Sequence, residues 1–139
     1  MTLFILNSQP RTLIKIERFC DLPVGWDYGR GGPISSDTIR NAKKIYHNIS
    51  VVGFHRTDAF AGAAGEVLVT AYYGKNYIAI TIEADGLCSV LHERDRIECC
   101  SYDNVQIEEV KTAIRGIARE IWGSSDSSIV TTSTPILGN

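Results

Sequence analysis

The sequence predicts an α+β fold, an antiparallel β-meander of three to five strands with helices packed on one face. Three observations carry this expectation. Across residues 66–102, runs of β-formers alternate with turn residues. Two hairpin registers, each set by its own turn, nominate the same apolar face. Amphipathic stretches at helical spacing flank the region on both sides. With 139 residues, 44% hydrophobic and 22% charged, the chain fits a single domain around one core. Residues 1–122 are expected to form that domain. The serine-, threonine- and glycine-rich residues 123–139, "GSSDSSIVTTSTPILGN", read as a flexible tail.

Taken in order, "MTLFILNSQP" has a short apolar run without a basic n-region or a small-residue cleavage site, so it reads as mature sequence forming an edge strand. In "RTLIKIERFCDLP", Leu13, Ile16 and either Phe19 or Cys20 lie at helical spacing, and Pro23 is a stop signal. A strand over residues 12–16 is the alternative. After a glycine-rich stretch, Ser35 or Ser36 caps a helix with Ile39, Ala42, Ile45, Tyr46 and Ile49 on one face. Asp37 in its first turn, and Lys43 and Lys44 further along, agree with the macrodipole. That helix is expected to end near Asn48. Residues 51–65 have no clean period: 51–55 are a candidate strand, and the small residues 61–65 read as loop.

The hairpins are better defined. A two-residue Gly74-Lys75 turn, with glycine first as a type II′ turn needs, pairs Tyr73 with Asn76. Ala71 then faces Ile78, Val69 faces Ile80 and Val67 faces Ile82, and every pair is apolar. A slip of one residue would set Val69 against Thr81 and destroy the match. The second turn, Ala84-Asp85-Gly86, pairs Ile82 with Cys88, Ile80 with Val90 and Ile78 with His92. Both turns therefore bury Val67, Val69, Ala71, Ile78, Ile80, Ile82, Cys88 and Val90. A third turn around residues 94–96 returns the chain through Ile97 to Cys100. Asp103 or Asn104 then caps a helix with Ile107, Val110, Ile114, Ile117 and Ile121 on one stripe, ending at about Trp122. Gly116 within it costs about 1 kcal/mol relative to alanine, which points to a close backbone approach there.

Charge and composition narrow the function classes. A net charge of −2 argues against nucleic-acid binding by phosphate neutralisation, which calls for a basic surplus. No apolar run approaches the roughly 20 residues that span a bilayer, so no membrane partner is expected. The four cysteines, Cys20, Cys88, Cys99 and Cys100, have no repeated C-x-x-C spacing and read as reduced thiols of a cytoplasmic protein. Cys88, His92 and either Cys99 or Cys100 are the only soft ligands that could meet. Three is short of a closed zinc site, and Glu93 points away. A thiol nucleophile paired with His47, His55 or His92 is disfavoured because Glu98 and Asp103 flank Cys99 and Cys100. Glu108 and Glu109, before Lys111, read as a solvated helix face. No metal, cofactor or catalytic set is expected.

The stretch "PVGWDYGRGGPISS" runs glycine-rich chain into a helix start, as phosphate loops do. Arg30 occupies the position of the second Walker A glycine, no Lys-Ser pair closes the loop, and no strand feeds it. A generic anion site of Arg30 with the helix start at Ser36 and Asp37 is one reading. The preferred one makes Trp26 a structural anchor packed into the core, the glycines turn formers, and Pro33 the residue fixing the approach to the cap.

This stretch, "LPVGWDYGRGGPISSDTIRNA", resembles a pattern in small bacterial proteins, most of them uncharacterised: leucine, a short gap, Trp-Asp, a glycine-rich turn, then Pro, Ile-Ser and an amphipathic helix. There the turn often reads W-D-G-Y-G-A. Here Trp26, Asp27, Tyr28 and Gly29 match with one glycine missing, and Arg30 replaces the small residue. The resemblance covers residues 22–42 and implies no activity.

The other sheet face holds Leu68, Thr70, Tyr72, Tyr77, Ala79 and Leu91, with Tyr73 near the turn. Tyrosines among small neighbours suit protein recognition; the alternative is that the N-terminal helix or residues 54–64 cover them. The expectation is a small non-enzymatic interaction module whose partner is another protein. A bacterial or phage accessory factor of antitoxin, immunity or anti-defence type fits. The rival class is a small-ligand, nucleotide or phosphate binder, or an enzyme, using the glycine turn and Arg30. A homodimer through the sheet face or an edge strand is a third possibility.

Overall fold

The meander forms in the register that the apolar pattern dictates. The computed structural model describes residues 10–130. It contains helix α1 (Arg11–Arg18), a 3₁₀ turn (Phe19–Asp21), helix α2 (Ser36–Val51), strands β1 (Arg56–Ala61), β2 (Val67–Tyr73), β3 (Asn76–Ile82), β4 (Cys88–Arg94) and β5 (Ile97–Val105), and helix α3 (Ile107–Val130). The strands form one antiparallel sheet in sequence order, and the fold is α+β. Val69 faces Ile80, which faces Val90; Val67 faces Ile82, which faces Cys88. All eight residues assigned to the inner face are buried. They share one core with Ala42, Ile45 and Ile49 of α2 and with Val110, Ile114 and Ile117 of α3. Each fully buried Ile or Val contributes about 1.5–3 kcal/mol.

The helices begin and end where capping chemistry allows. In α1, Leu13 and Ile16 are buried, Phe19 continues their stripe, and Cys20 is exposed; a strand over 12–16 is excluded. Ser35 is the cap of α2, its Oγ accepting from the Thr38 N–H at 3.2 Å. That helix runs past Asn48 and stops in a Schellman motif: Gly53 N–H donates to Ser50 O and Phe54 N–H to Ile49 O, with Gly53 at φ +118°. Residues 51–55, expected as a candidate strand, are therefore helix end and cap, and the strand begins at Arg56. Lys43 holds Glu17 at 3.0 Å and ties α2 to α1.

The last hairpin departs most from expectation. Asp95 and Arg96 join β4 to β5 with φ of +55° and +69°, a type I′ geometry made without glycine. β5 continues to Val105 through two bulges against β4, and Asn104, at φ +56°, lies in the second. Asp103 and Asn104 therefore belong to a strand and cap nothing. At the start of α3, the Gln106 N–H instead donates to Glu109 Oε1 at 2.8 Å, half of a capping box. α3 also runs beyond Trp122, so residues 123–130, expected in the tail, are helical. Apart from the neighbouring backbone of α3 itself, nothing lies within 4 Å of a Cβ built on Gly116, so the close approach expected there is absent. The edge strand expected in residues 1–9 and the remaining tail, 131–139, lie outside the described residues. No helix among the described residues is long and apolar enough to cross a membrane.

Candidate functional site

Alternation along β2, β3 and β4 sends Leu68, Tyr72, Tyr77 and Leu91 to the face opposite the core, where all four are half-buried. Tyr72 pairs directly with Tyr77 across β2 and β3, ring centroids 5.2 Å apart, and Tyr77 pairs with Glu93 of β4. The Arg56 guanidinium lies 5.4 Å from the Tyr72 ring centroid. The result is a row, Arg56-Tyr72-Tyr77-Glu93, with a cation at one end and a carboxylate at the other. Burial, then the neighbouring Tyr72 and Glu93, raises the pKa of the Tyr77 hydroxyl, so Tyr77 is a neutral hydrogen-bonding group at physiological pH. Next to this row Thr70 is buried, its hydroxyl directed at Asp58 O at 3.5 Å.

At the β1 end, Lys15 of α1 bonds Asp58 at 2.9 Å and lies 4.4 Å from the Phe60 ring centroid, while Thr12 Oγ1 donates to Thr57 O. α1 thus braces β1. Residues 54–64, considered as a cover for the tyrosine face, instead supply β1 of the sheet itself.

Tyr73 does not belong with this group. Its ring packs at 4.8 Å against Trp122 of α3, which in turn packs against Phe54 at 4.9 Å. The residue one position past Tyr72 must point to the helix-bearing side, and the α3 tryptophan receives it there.

The glycine turn is a small hairpin. Asp27 and Arg30 exchange both backbone hydrogen bonds, with Tyr28 at φ +53° and Gly29 at φ +89° between them. Arg30 pairs with Asp27 at 3.3 Å and is 75% exposed; it borders a cleft with Ala63, Ala64 and Glu66. Ser36 borders a different groove, along α2 with Arg40 and Lys44, and Asp37 holds Arg40 at 2.7 Å. Of the three residues considered together as an anion site, Arg30 is thus engaged with Asp27, whereas Ser36 and Asp37 both adjoin Arg40. Trp26 is half-buried and lies outside the core. Its indole N–H donates to Gly32 O at 3.1 Å, and the ring lies so close to Gly31 that a Cβ there would sit 2.8 Å from Nε1. Trp26 anchors its own loop, because the hairpin folds back onto the indole before the chain reaches the core at Ile34.

The thiols and His92 are arranged for packing. Cys88 is buried, and burial, then Glu83 and Asp85, pushes its thiol up to about 11. Burial, then chiefly Glu120, also raises Cys100, which sits opposite His92 in the β4–β5 register. Both shifts oppose thiolate formation. Cys99 is exposed. No group of three potential metal ligands occurs among the described residues. His92 is fully buried; its Nε2 lies 2.9 Å from Asn76 Oδ1, which also accepts from Arg94 Nε at 3.2 Å. Oδ1 can only accept, so Nε2 carries the proton.

Sequence reasoning missed a basic cleft formed where α1, the end of α2 and β1 meet, lined in part by Arg11, Tyr46, His55 and Arg56. These residues are distant in sequence, and no local motif marks them. Comparisons of the chain with family models, curated proteins and solved structures gave no match.

Proposed function

We propose that this chain is a small non-enzymatic protein-interaction module that binds another protein through the outer face of its sheet. The observation that carries this reading is the Tyr72–Tyr77 pair, 5.2 Å apart, set on a rigid meander beside Leu68 and Leu91. Tyrosine supplies large contact area and a hydroxyl at low entropic cost, and interface hot spots are rich in it. The Arg56 and Glu93 ends of the row would orient a partner by charge. A net charge of −2 favours a protein partner over nucleic acid. Within this class, an accessory protein of bacterial or phage origin that inhibits or escorts its partner, of antitoxin, immunity or anti-defence type, is the proposed role.

The test is quantitative affinity capture from native lysate by the wild-type chain and by the Tyr72→Ser/Tyr77→Ser double variant. The variant keeps the inner face intact, and circular dichroism verifies its fold. A protein retained by the wild type and lost by the variant supports the reading; equal retention by both contradicts it.

A further inference from the structure

The basic cleft adjoins the tyrosine face, sharing Arg56 and Tyr72 with it, and adds Arg11, His55 and the start of α1. It encloses about 540 Å³ between the start of α1 and β1, and Arg11, His55 and Arg56 all line it. Arg11 and His55 form no ion pair among the described residues, and Arg56 is held over the Tyr72 ring. The one carboxylate on the wall, Asp58, is already committed to Lys15 Nζ at 2.9 Å and the Ala59 N–H at 2.7 Å. Among the described residues, the Arg11 and Arg56 charges in the cleft therefore have no carboxylate partner.

Two further features aim donors at the same space. α1 begins after Pro10 with no side-chain cap and no acidic residue in its first turn, leaving backbone N–H groups and the positive end of the helix dipole directed there. Tyr46 is only 6% exposed, with its ring in the core. It lines the cleft. A tyrosine on the cleft wall can donate its hydroxyl to an acceptor bound there.

We propose that this cleft binds the phosphate monoester of a small molecule. A dianionic group answers several cationic donors better than a carboxylate, and its tetrahedral oxygens accept from donors arriving along different directions. The volume leaves room for an organic body beside the phosphate. This goes beyond the protein-interaction reading and does not depend on it.

The test is calorimetric titration of the isolated chain at constant ionic strength with ribose 5-phosphate, inorganic phosphate, acetate and a phosphoserine peptide. Ribose 5-phosphate is expected to bind more tightly than inorganic phosphate, and acetate not to bind. Arg11→Ala should weaken ribose 5-phosphate binding by about tenfold or more, the usual effect of losing a charge-assisted contact. Tyr46→Phe should weaken it severalfold. Both variants lie off the tyrosine face, and unchanged thermal midpoints without ligand would show that their folds are intact. Acetate binding as well as phosphate, affinity unaffected by both variants, or a phosphoserine peptide binding more tightly than ribose 5-phosphate would each overturn the proposal. Failure here leaves the sheet-face reading standing, since no protein partner takes part.

Discussion

His92 of β4 and Glu120 of α3 face each other across 3.8 Å, one fully buried and the other 64% exposed. His92 Nδ1 is buried without a hydrogen bond, because the proton on Nε2 serves Asn76. The carboxylate stands opposite a lone pair. Protonation of His92 would turn that opposition into an ion pair, yet burial outweighs Glu120 and, with help from Arg94, lowers the His92 pKa below its usual 6.5.

The sign of the pH dependence follows. The unfolded chain takes up the histidine proton at a higher pH than the folded chain, so in that window it binds more protons. The stability contributed by neutral His92 is full above about pH 6.5, the unfolded value, and falls as the pH drops through the lowered folded value. Titration of the His92 ring by NMR should give a pKa below the usual histidine range. Glu120→Gln removes the favourable charge and should lower it further; a rise in that variant would contradict the assignment.

Gly116 offers a gain in stability. It lies inside α3 with open space where a Cβ would go. Gly116→Ala should raise stability by about 1 kcal/mol through helix propensity alone, read as a higher denaturation midpoint with an unchanged urea slope.

Gly31 is the opposite case. At φ +80°, a side chain is strained, and its Cβ would meet the Trp26 indole at 2.8 Å and the Ala63 backbone at 3.3 Å. Gly31→Ala should cost about 1–3 kcal/mol, with altered tryptophan fluorescence as the loop opens. Trp26→Ala should cost less than Ile80→Ala, which hollows the core at about 2–5 kcal/mol. Equal losses would return Trp26 to the core.

The parts of the fold legible in the sequence are those where turn chemistry and period agree. Gly74 and Gly86 fix two registers, and the Val67-to-Val90 face then follows residue by residue. β1 is illegible in the sequence because "RTDAFA" buries only Ala59 fully, so a strand that is outermost among the described residues and braced by α1 leaves no apolar alternation. β5 ran longer than expected because its bulges, with Asn104 at positive φ, resemble a helix cap in sequence. Proximity in sequence groups Tyr73 with Tyr72, although adjacent strand positions face opposite ways. The tyrosine row emerged from register alone. The basic cleft could not, because Arg11, Tyr46, His55 and Arg56 meet only after α1 docks against β1.

The central claim is that the Tyr72–Tyr77 face receives a protein partner, and site-specific photocrosslinking tests it most directly. A benzophenone side chain replaces Tyr77 in one chain and Val51, which is 84% exposed on α2, in another. After irradiation in native lysate, the chain labelled at position 77 should yield a discrete crosslinked protein that the chain labelled at position 51 does not. Identical crosslinks from both positions, or none from position 77, would contradict the claim.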